Sequence, residues 1–315
     1  MPNFEHDNSA ISIYRTCHQK FAYRMVNGLV LKGGSAGAAF GTTLHAGREA
    51  YRKAILGGVQ HSDAVEQAVL AVTATWQAEM PAAYANPAMA TDRRSQASAV
   101  HLLRGYLAKF GNQYYTPVHI EVPFAIHAGQ SRLFPGTDII YTGIIDEICR
   151  FNNSLYVLDL KSCGTIFGPN PEWFKQFRTS SQCKGYVRAA EETIGEKVAG
   201  VIIHAIWVKN LPGPKSKTKF EDYFRGDVFC YSTSQLDEWQ DKFCQAVDEV
   251  ERAKLEAPTK GWDMQSDSAC MLYGGCPYNG LCASPPETRP QLIKMDYEVK
   301  PWVPLKDKRA LDAEA

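Results

Sequence analysis

At 315 residues, with 45% hydrophobic and 22% charged side chains, the chain has the composition of a soluble globular protein, long enough to bury a full core in one large domain or in one domain with a small appended module. Its 34 basic and 34 acidic side chains cancel to a formal net charge of zero. That excludes a global positive field and leaves any contact with nucleic acid to a local groove. Met1 to Asp7 has neither the basic start nor the apolar run of a signal peptide. The longest apolar run, around Val201 to Val208, is too short to span a membrane, so a cytoplasmic protein without a membrane partner is expected. Nine cysteines, an odd number with no export signal, favour metal ligands or free thiols over a disulfide framework.

In chain order, Ser9 to Val26 reads as an amphipathic helix with Cys17 in its middle, and by itself Cys17 reads as a small buried residue. The glycine-rich Leu31 to Ala39 reads as a flexible connection; it lacks the Gly-Lys-Ser/Thr ending of a phosphate-binding loop. Thr42 to Leu56 forms a helix whose Leu44, Tyr51 and Ile55 can face a core, with His45 one position along. A lone histidine there is more often structural than a ligand, and its interest depends on what it meets in space. Two further helices, about Ser62 to Met80 and Arg93 to Tyr114, flank the Pro- and Ala-rich Pro81 to Ala90. They read as a helical insertion over about residues 60–115, a flap on one edge of a sheet. Arg93, Arg94 and Arg104 fit a solvated face as well as a DNA contact.

The β-rich centre starts with a strand from Val118 to Ile126 that carries Glu121. Thr142 to Arg150 and Leu155 to Lys161 then read as a hairpin closed by the turn-prone Phe151 to Ser154. A helix from about Trp173 to Glu192 puts Gln182 and Tyr186 on one face at the i, i+4 spacing. A buried strand, Val198 to Val208, leads into a loop in which Lys209, Lys215, Lys217 and Lys219 form a solvated tip or a phosphate contact. After a strand from Phe220 to Tyr231, a long helix from Ser234 to Leu255 is expected to stop before Pro258. Cys270, Cys276 and Cys282 follow, and the Pro-rich, charged tail from Pro285 to Ala315 is expected to be partly disordered. The whole predicts an α/β architecture with a mixed central sheet and flanking helices, as a single domain over residues 1–284 with the cysteine region at 270–282. No Gly-x-Gly-x-x-Gly follows the early strands, which disfavours a dinucleotide fold.

The chemistry concentrates in the hairpin. In Asp159-Leu160-Lys161 the period of two puts carboxylate and ammonium on one face, and Asp146 can reach the same face. A hard cation such as Mg²⁺ or Mn²⁺ takes oxygen ligands and keeps several waters, so two acids suffice to dock it for phosphodiester hydrolysis, with Lys161 orienting water or stabilising charge. An Asp-x-Lys triplet alone arises by chance in surface strands. Here it lies inside an apolar strand, where unpaired charge is costly.

Gly143-Ile-Ile-Asp146 followed by Val157-Leu-Asp-Leu-Lys161 resembles the core of the PD-(D/E)XK nuclease superfamily, in particular its RecB-like exonuclease branch. His45 in Gly41-Thr-Thr-Leu-His45 is similar to that branch's helix histidine, which completes the metal site; Glu121 matches an upstream acid; Gln182-Cys-Lys-Gly-Tyr186 matches its Gln-x-x-x-Tyr motif, which places DNA near the metal. Ile145 stands where the first motif conventionally has proline. The resemblance implies a restriction-endonuclease-like core and a metal-dependent DNA exonuclease acting on ends or single strands, with His45, Asp146 and Asp159 as metal ligands and Lys161 as base or charge stabiliser. It also allows a protein partner or a homo-oligomer. Cys17 with Cys270, Cys276 and Cys282 has the layout of the iron–sulfur subset, which includes the CRISPR adaptation nuclease and AddB-like nuclease domains. It implies a [4Fe–4S] cluster, with a structural Zn²⁺ as the alternative because five residues separate successive members of the trio. A reading of a different class is a catalytically silent DNA-binding or complex-assembly subunit that retains the fold for its groove.

Overall fold

The computed structural model describes residues 3–79, 93–111, 115–210, 217–265, 268–271 and 275–303. In chain order its elements are β1 (Phe4–His6), α1 (Asn8–Thr16), α2 (His18–Phe21), β2 (Leu29–Leu31), α3 (Ala36–Leu56), α4 (His61–Glu79), α5 (Gln96–Phe110), β3 (Tyr115–Gln130), β4 (Asp138–Phe151) and β5 (Ser154–Cys163). Then come α6 (Pro171–Phe174), α7 (Ser181–Ile194), β6 (Val198–Trp207), β7 (Phe224–Phe229), α8 (Thr233–Lys260), α9 (Ser268–Met271), α10 (Asn279–Ala283), α11 (Arg289–Asp296) and β8 (Tyr297–Val299). Contacts divide the chain into two units, Met1–Lys32 with Pro123–Ile144 and Ser234–Ala315, and Gly33–Val122 with Ile145–Thr233. The long strands β3 and β4 each contribute to both.

In the unit of Gly33–Val122 and Ile145–Thr233, the later half of β4 runs antiparallel to β5, β5 parallel to β6, and β6 antiparallel to β7, a mixed sheet. The β4–β5 hairpin turns on Asn152 and Asn153 at φ 47° and 64°, a region that asparagine tolerates better than most residues. Helix α7 is the crossover between the parallel strands; Ser180 caps its first turn and Gly195 ends it at φ 75°. The expected single helix over 173–192 is therefore broken, with α6 and one 3₁₀ turn (Lys175–Arg178) ahead of α7. Helix α3 starts six residues before the expected Thr42, because the Ser35 hydroxyl accepts from the Ala38 amide and caps it.

Helices α4 and α5 are no flap on a sheet edge; with α3 they pack into its core. Phe40, Leu44, Ala64, Ala68, Leu102 and Leu103 share one buried cluster with the sheet residues Leu160, Ile206 and Trp207. Small residues permit that closeness: a Cβ on Gly47 would stand 2.5 Å from Val72 and 2.7 Å from Leu103. Pro81 to Ala90 and Lys215 lie outside the described residues.

In the other unit, β1 pairs in parallel with the start of β4, Phe4 opposite Ile139 and His6 opposite Tyr141. Helix α8 buries Leu236, Trp239, Phe243, Val247 and Val250, and the Trp239 and Phe243 rings meet Tyr141 at 5.1 and 4.9 Å. This helix runs past Pro258 to Lys260, against the expected stop, because the proline falls in the last turn and Gly261 at φ 73° ends the helix just after it. The expected helix over 9–26 is also interrupted. Cys17 is extended at φ −167°, and Ala22–Val26 is a π turn. The tail is ordered as far as it is described: α11 leads into β8, which pairs antiparallel with β2, Leu29 opposite Val299. Residues 304–315 lie outside the described part. No described helix is long and apolar enough to cross a membrane.

His204 on β6 is 2% exposed and is held by the Tyr106 hydroxyl at Nδ1 (2.9 Å) and the Tyr115 hydroxyl at Nε2 (2.8 Å), with the Phe110 ring stacked at 4.0 Å. Burial, then the nearby Arg48 and Arg52, push its pKa well below 6.5, so the folded protein holds it neutral. The unfolded chain takes up a proton below about pH 6.5 and the folded chain does not; the stability tied to this group is complete above that pH and is lost as pH falls. Urea unfolding at pH 7.5, 6 and 5 is expected to show a loss approaching about 1.4 kcal/mol per pH unit that is absent in His204→Gln. Equal pH slopes in the two proteins would refute this assignment.

Candidate active site and cysteine cavity

The β4–β5 register pairs Glu147 with Leu158, so Asp146 and Asp159 stand opposite one another at the next step, and Lys161 follows on the same face. Lys161 Nζ lies 2.7 Å from Asp159 Oδ2 and donates to Gln182 Oε1 at 3.0 Å. Gln182 Nε2 in turn donates to the Tyr186 hydroxyl at 3.0 Å. The i, i+4 pair on α7 is thereby linked to the lysine. From α3, His45 Nδ1 comes within 3.0 Å of Asp146 Oδ2. Glu121 on β3 has φ 54°, a left-handed backbone rare for a non-glycine residue in a strand, and its carboxylate is close enough to interact with Asp146 and His45. Glu121, His45, Asp146, Asp159, Lys161, Gln182 and Tyr186 thus form one cluster in one unit.

Its charges are uneven. Burial works against the charge of Asp146, yet His45, then Arg48 and Lys161, hold that carboxyl below the usual carboxylate range. Burial pushes Asp159 up; Lys161 opposes the rise and the Asp146 charge adds to it. Burial also raises Glu121, to about 7, with Asp146 and Glu49 adding repulsion. Burial resists the charges of His45 and Lys161 as well, but their carboxylate partners win and both are raised.

Asp146 Oδ2 and Asp159 Oδ2 are buried, and neither receives an aligned hydrogen bond; each has only an ion-pair contact. Two buried carboxylates on adjacent strands, satisfied only by ion pairs, suit a hard divalent cation. No three His, Cys, Asp and Glu side chains among the described residues converge closely enough to enclose a metal ion. Mg²⁺ and Mn²⁺ do not require enclosure, because they bind through one or two carboxylates and keep water on the remaining positions. The donor set fits.

The four cysteines lie in the other unit, where Cys17, Cys270, Cys276 and Cys282 line one cavity of about 240 Å³ together with Met264, Gln265 and Tyr278. The break after α1 brings Cys17 there, and the Gln265 amide donates to Cys17 Sγ at 3.4 Å. Burial, then the neighbouring Cys276 and Cys17, push the Cys282 thiol up. The trio's segment is held by the Tyr278 hydroxyl on Leu29 O (2.6 Å) and the Tyr297 hydroxyl on Pro277 O (2.6 Å). Four thiols around one cavity fit a soft-ligand metal centre, although they are not drawn together to ligating distance. All nine cysteines are free; Cys149, Cys163, Cys183 and Cys244 are buried and Cys230 is exposed.

Sequence reasoning passed over the support beneath the acids. Arg48 and Arg52 on α3 both bond to Glu147: Arg48 at 2.5 Å to Oε2, and Arg52 at 2.6 Å through its terminal nitrogen and 3.0 Å through Nε. Their side chains are 4%, 6% and 0% exposed. A signal existed, since arginines at i, i+4 on an otherwise apolar helix face and an acid inside Ile-Ile-Asp-Glu-Ile-Cys all require partners. Glu147→Gln leaves two buried guanidinium groups without a carboxylate and is expected to cost about 3–5 kcal/mol in urea unfolding. A loss under about 1 kcal/mol would contradict the geometry.

The sequence profile of the PD-(D/E)XK nuclease superfamily matches residues 8–283. No curated protein matches the chain. Among solved structures, the chain is similar to a protein from Eubacterium rectale described as a "Putative exonuclease", at 11% identity and a TM-score of 0.43 over 82% of this chain and 83% of that one. It is also similar to the structure of SSO0001, at 12% identity and a TM-score of 0.28 over 70% and 75%. Since the profile spans nearly everything from α1 to the last cysteine, including the hairpin acids and Lys161, the chain belongs to the PD-(D/E)XK nuclease superfamily.

Proposed function

We propose that this chain is a divalent-metal-dependent DNA exonuclease of the RecB-like kind that processes DNA ends. In this reading Asp146 and Asp159 dock Mg²⁺ or Mn²⁺ with His45 as a further ligand, and Cys17, Cys270, Cys276 and Cys282 carry a [4Fe–4S] cluster. The observation that carries it is the pair of buried carboxylates, Asp146 held against His45 and Asp159 against the Lys161 ammonium. Membership in a nuclease superfamily supports a phosphodiester substrate.

A divalent cation, when bound, supplies Lewis acidity toward the scissile phosphate. The chain supplies the rest. Lys161, 27% exposed and held between Asp159 and Gln182, presents a fixed positive charge where negative charge develops. Gln182 holds that ammonium in place, and Tyr186 in turn holds Gln182. Glu121, with its raised pKa, is an acid that can carry a proton near neutrality.

Lys161→Ala is expected to lower Mg²⁺- or Mn²⁺-dependent cleavage of end-labelled DNA by about 100-fold or more, with the circular dichroism spectrum retained. Undiminished cleavage would remove Lys161 from the site, and tight end binding by the wild-type protein without turnover would mark a silent binding subunit. For the cysteines, anaerobic purification is expected to give a coloured protein containing iron and sulfide, which each Cys→Ser variant loses. A colourless protein with one zinc per chain would replace the cluster with a structural Zn²⁺.

A further inference from the structure

Among the described residues, the two most exposed large hydrophobic side chains are neighbours, Ile166 at 82% and Phe167 at 79%. They follow Lys161 by five and six residues, in the loop that leaves β5. Five residues span at most about 18 Å, so this apolar tip is within reach of a strand lying in the catalytic cluster.

The turn beneath the tip is built to hold it out. Thr165 Oγ1 donates to Gly168 O at 3.1 Å, and the Gly168 amide donates to Thr165 O at 3.3 Å. Trp207 Nε1 also donates to Thr165 O, at 2.8 Å. Gly168, at φ 69°, lies so close to the Trp207 ring that a Cβ there would stand 2.8 Å from it. On the outgoing side the Asn170 amide donates to Gly168 O at 2.9 Å. The stem is pinned on both sides.

The surroundings are cationic. Arg93 donates to Gly164 O at 3.4 Å, and the Lys209 ammonium lies 4.4 Å from the Trp207 ring centroid. On β5 just before the loop, Ser162 Oγ would be 3.7 Å from a Cβ on Gly41, four residues before His45. An aromatic ring presented to solvent, flanked by Arg and Lys and continuous with a phosphodiester site, matches the way unpaired strands are bound: phosphates on the cations and base faces on the ring. A protein partner would call for a broader apolar patch than two side chains.

We infer that Phe167, backed by Ile166, is a stacking tip that receives an unpaired nucleobase of the strand entering the Asp146–Asp159–Lys161 site, which makes single-stranded or frayed DNA ends better substrates than fully paired ends. This rests on the nuclease reading above and adds to it the side chain that receives the strand.

The test uses the full chain and fluorescence anisotropy in EDTA. Two single-stranded oligonucleotides are compared, one normal and one with abasic sites in place of its bases, and cleavage of single-stranded and blunt duplex DNA is then measured with Mg²⁺. Phe167→Ala is expected to weaken binding of the normal oligonucleotide by about 10-fold, with less than about 2-fold change on the abasic one, and Phe167→Trp to restore it. The preference for single-stranded over duplex DNA should fall by a similar factor. Because both side chains are exposed, the urea midpoints of Phe167→Ala and Ile166→Ser should match wild type, and Ile166→Ser should show a smaller loss of the same kind. Equal losses on the two oligonucleotides, or none, would overturn the stacking tip while cleavage by the wild-type protein keeps the nuclease reading. A change in oligomeric state with DNA binding intact would assign the tip to a protein interface instead and overturn it too. A wild-type protein that neither binds nor cleaves DNA would overturn both.

Discussion

The cluster of His45, Asp146, Asp159 and Lys161 rests on a buried group of ions beneath it. Arg48, Arg52 and Glu147 are all removed from water, and such charges remain ionised inside a protein only when their geometry is close to ideal. Here one carboxylate receives bonds from two guanidinium groups, and Arg52 has a further contact on Tyr115 O at 3.2 Å. The consequence is register. His45 precedes Arg48 by one helical turn, and Asp146 is the neighbour of Glu147 in the strand. Fixing the arginines on the glutamate fixes which turn of α3 meets which residue of β4, and His45 arrives 3.0 Å from Asp146.

The same clamp shapes the electrostatics above it. Arg48 contributes to holding Asp146 low, while burial, with repulsion from Asp146 added, pushes Asp159 and Glu121 the other way. The acids are thus made unequal by their neighbours, although each stands on a strand and each is largely buried. A cluster of acids in which one member is held below the usual carboxylate range and the others are raised is suited to binding a cation and to handling a proton within the same few ångströms.

Much of this was legible in the sequence because the signals were local. The hairpin was marked by alternation and by Phe151-Asn-Asn-Ser154, and its register, which puts Asp146 opposite Asp159, follows from a two-residue turn. Gln182 and Tyr186 needed only the helical period. What escaped was set by tertiary packing or by a single backbone exception. The break at Cys17 and the continuation of α8 past Pro258 are decisions at one residue, made by what lies around it. Helices α4 and α5 looked peripheral because alanine and glycine give a weak apolar signal, yet small side chains on α3 to α5 are what let the helices pack against Leu160 and Trp207. The Arg48–Glu147–Arg52 clamp joins residues about a hundred positions apart, a pairing that no short window contains.

The two candidate metal centres differ in the chemistry of their donors, and that difference is itself selective. Carboxylate oxygens on β4 and β5 are hard ligands that suit Mg²⁺ or Mn²⁺, whereas four thiols around a cavity are soft ligands that suit an iron–sulfur cluster or zinc. Each donor set lies within one unit. In the cysteine unit the scaffold has its own sources of order: β2 paired with β8, and the Tyr278 and Tyr297 rings stacked at 5.7 Å with their hydroxyls on backbone carbonyls. Cys276 and Cys282 pack against that aromatic cluster, so the cavity is framed by hydrogen bonds and ring contacts as well as by its thiols. A soft-metal centre there would close a frame that the backbone has already brought most of the way together, which lowers the ordering cost of binding it.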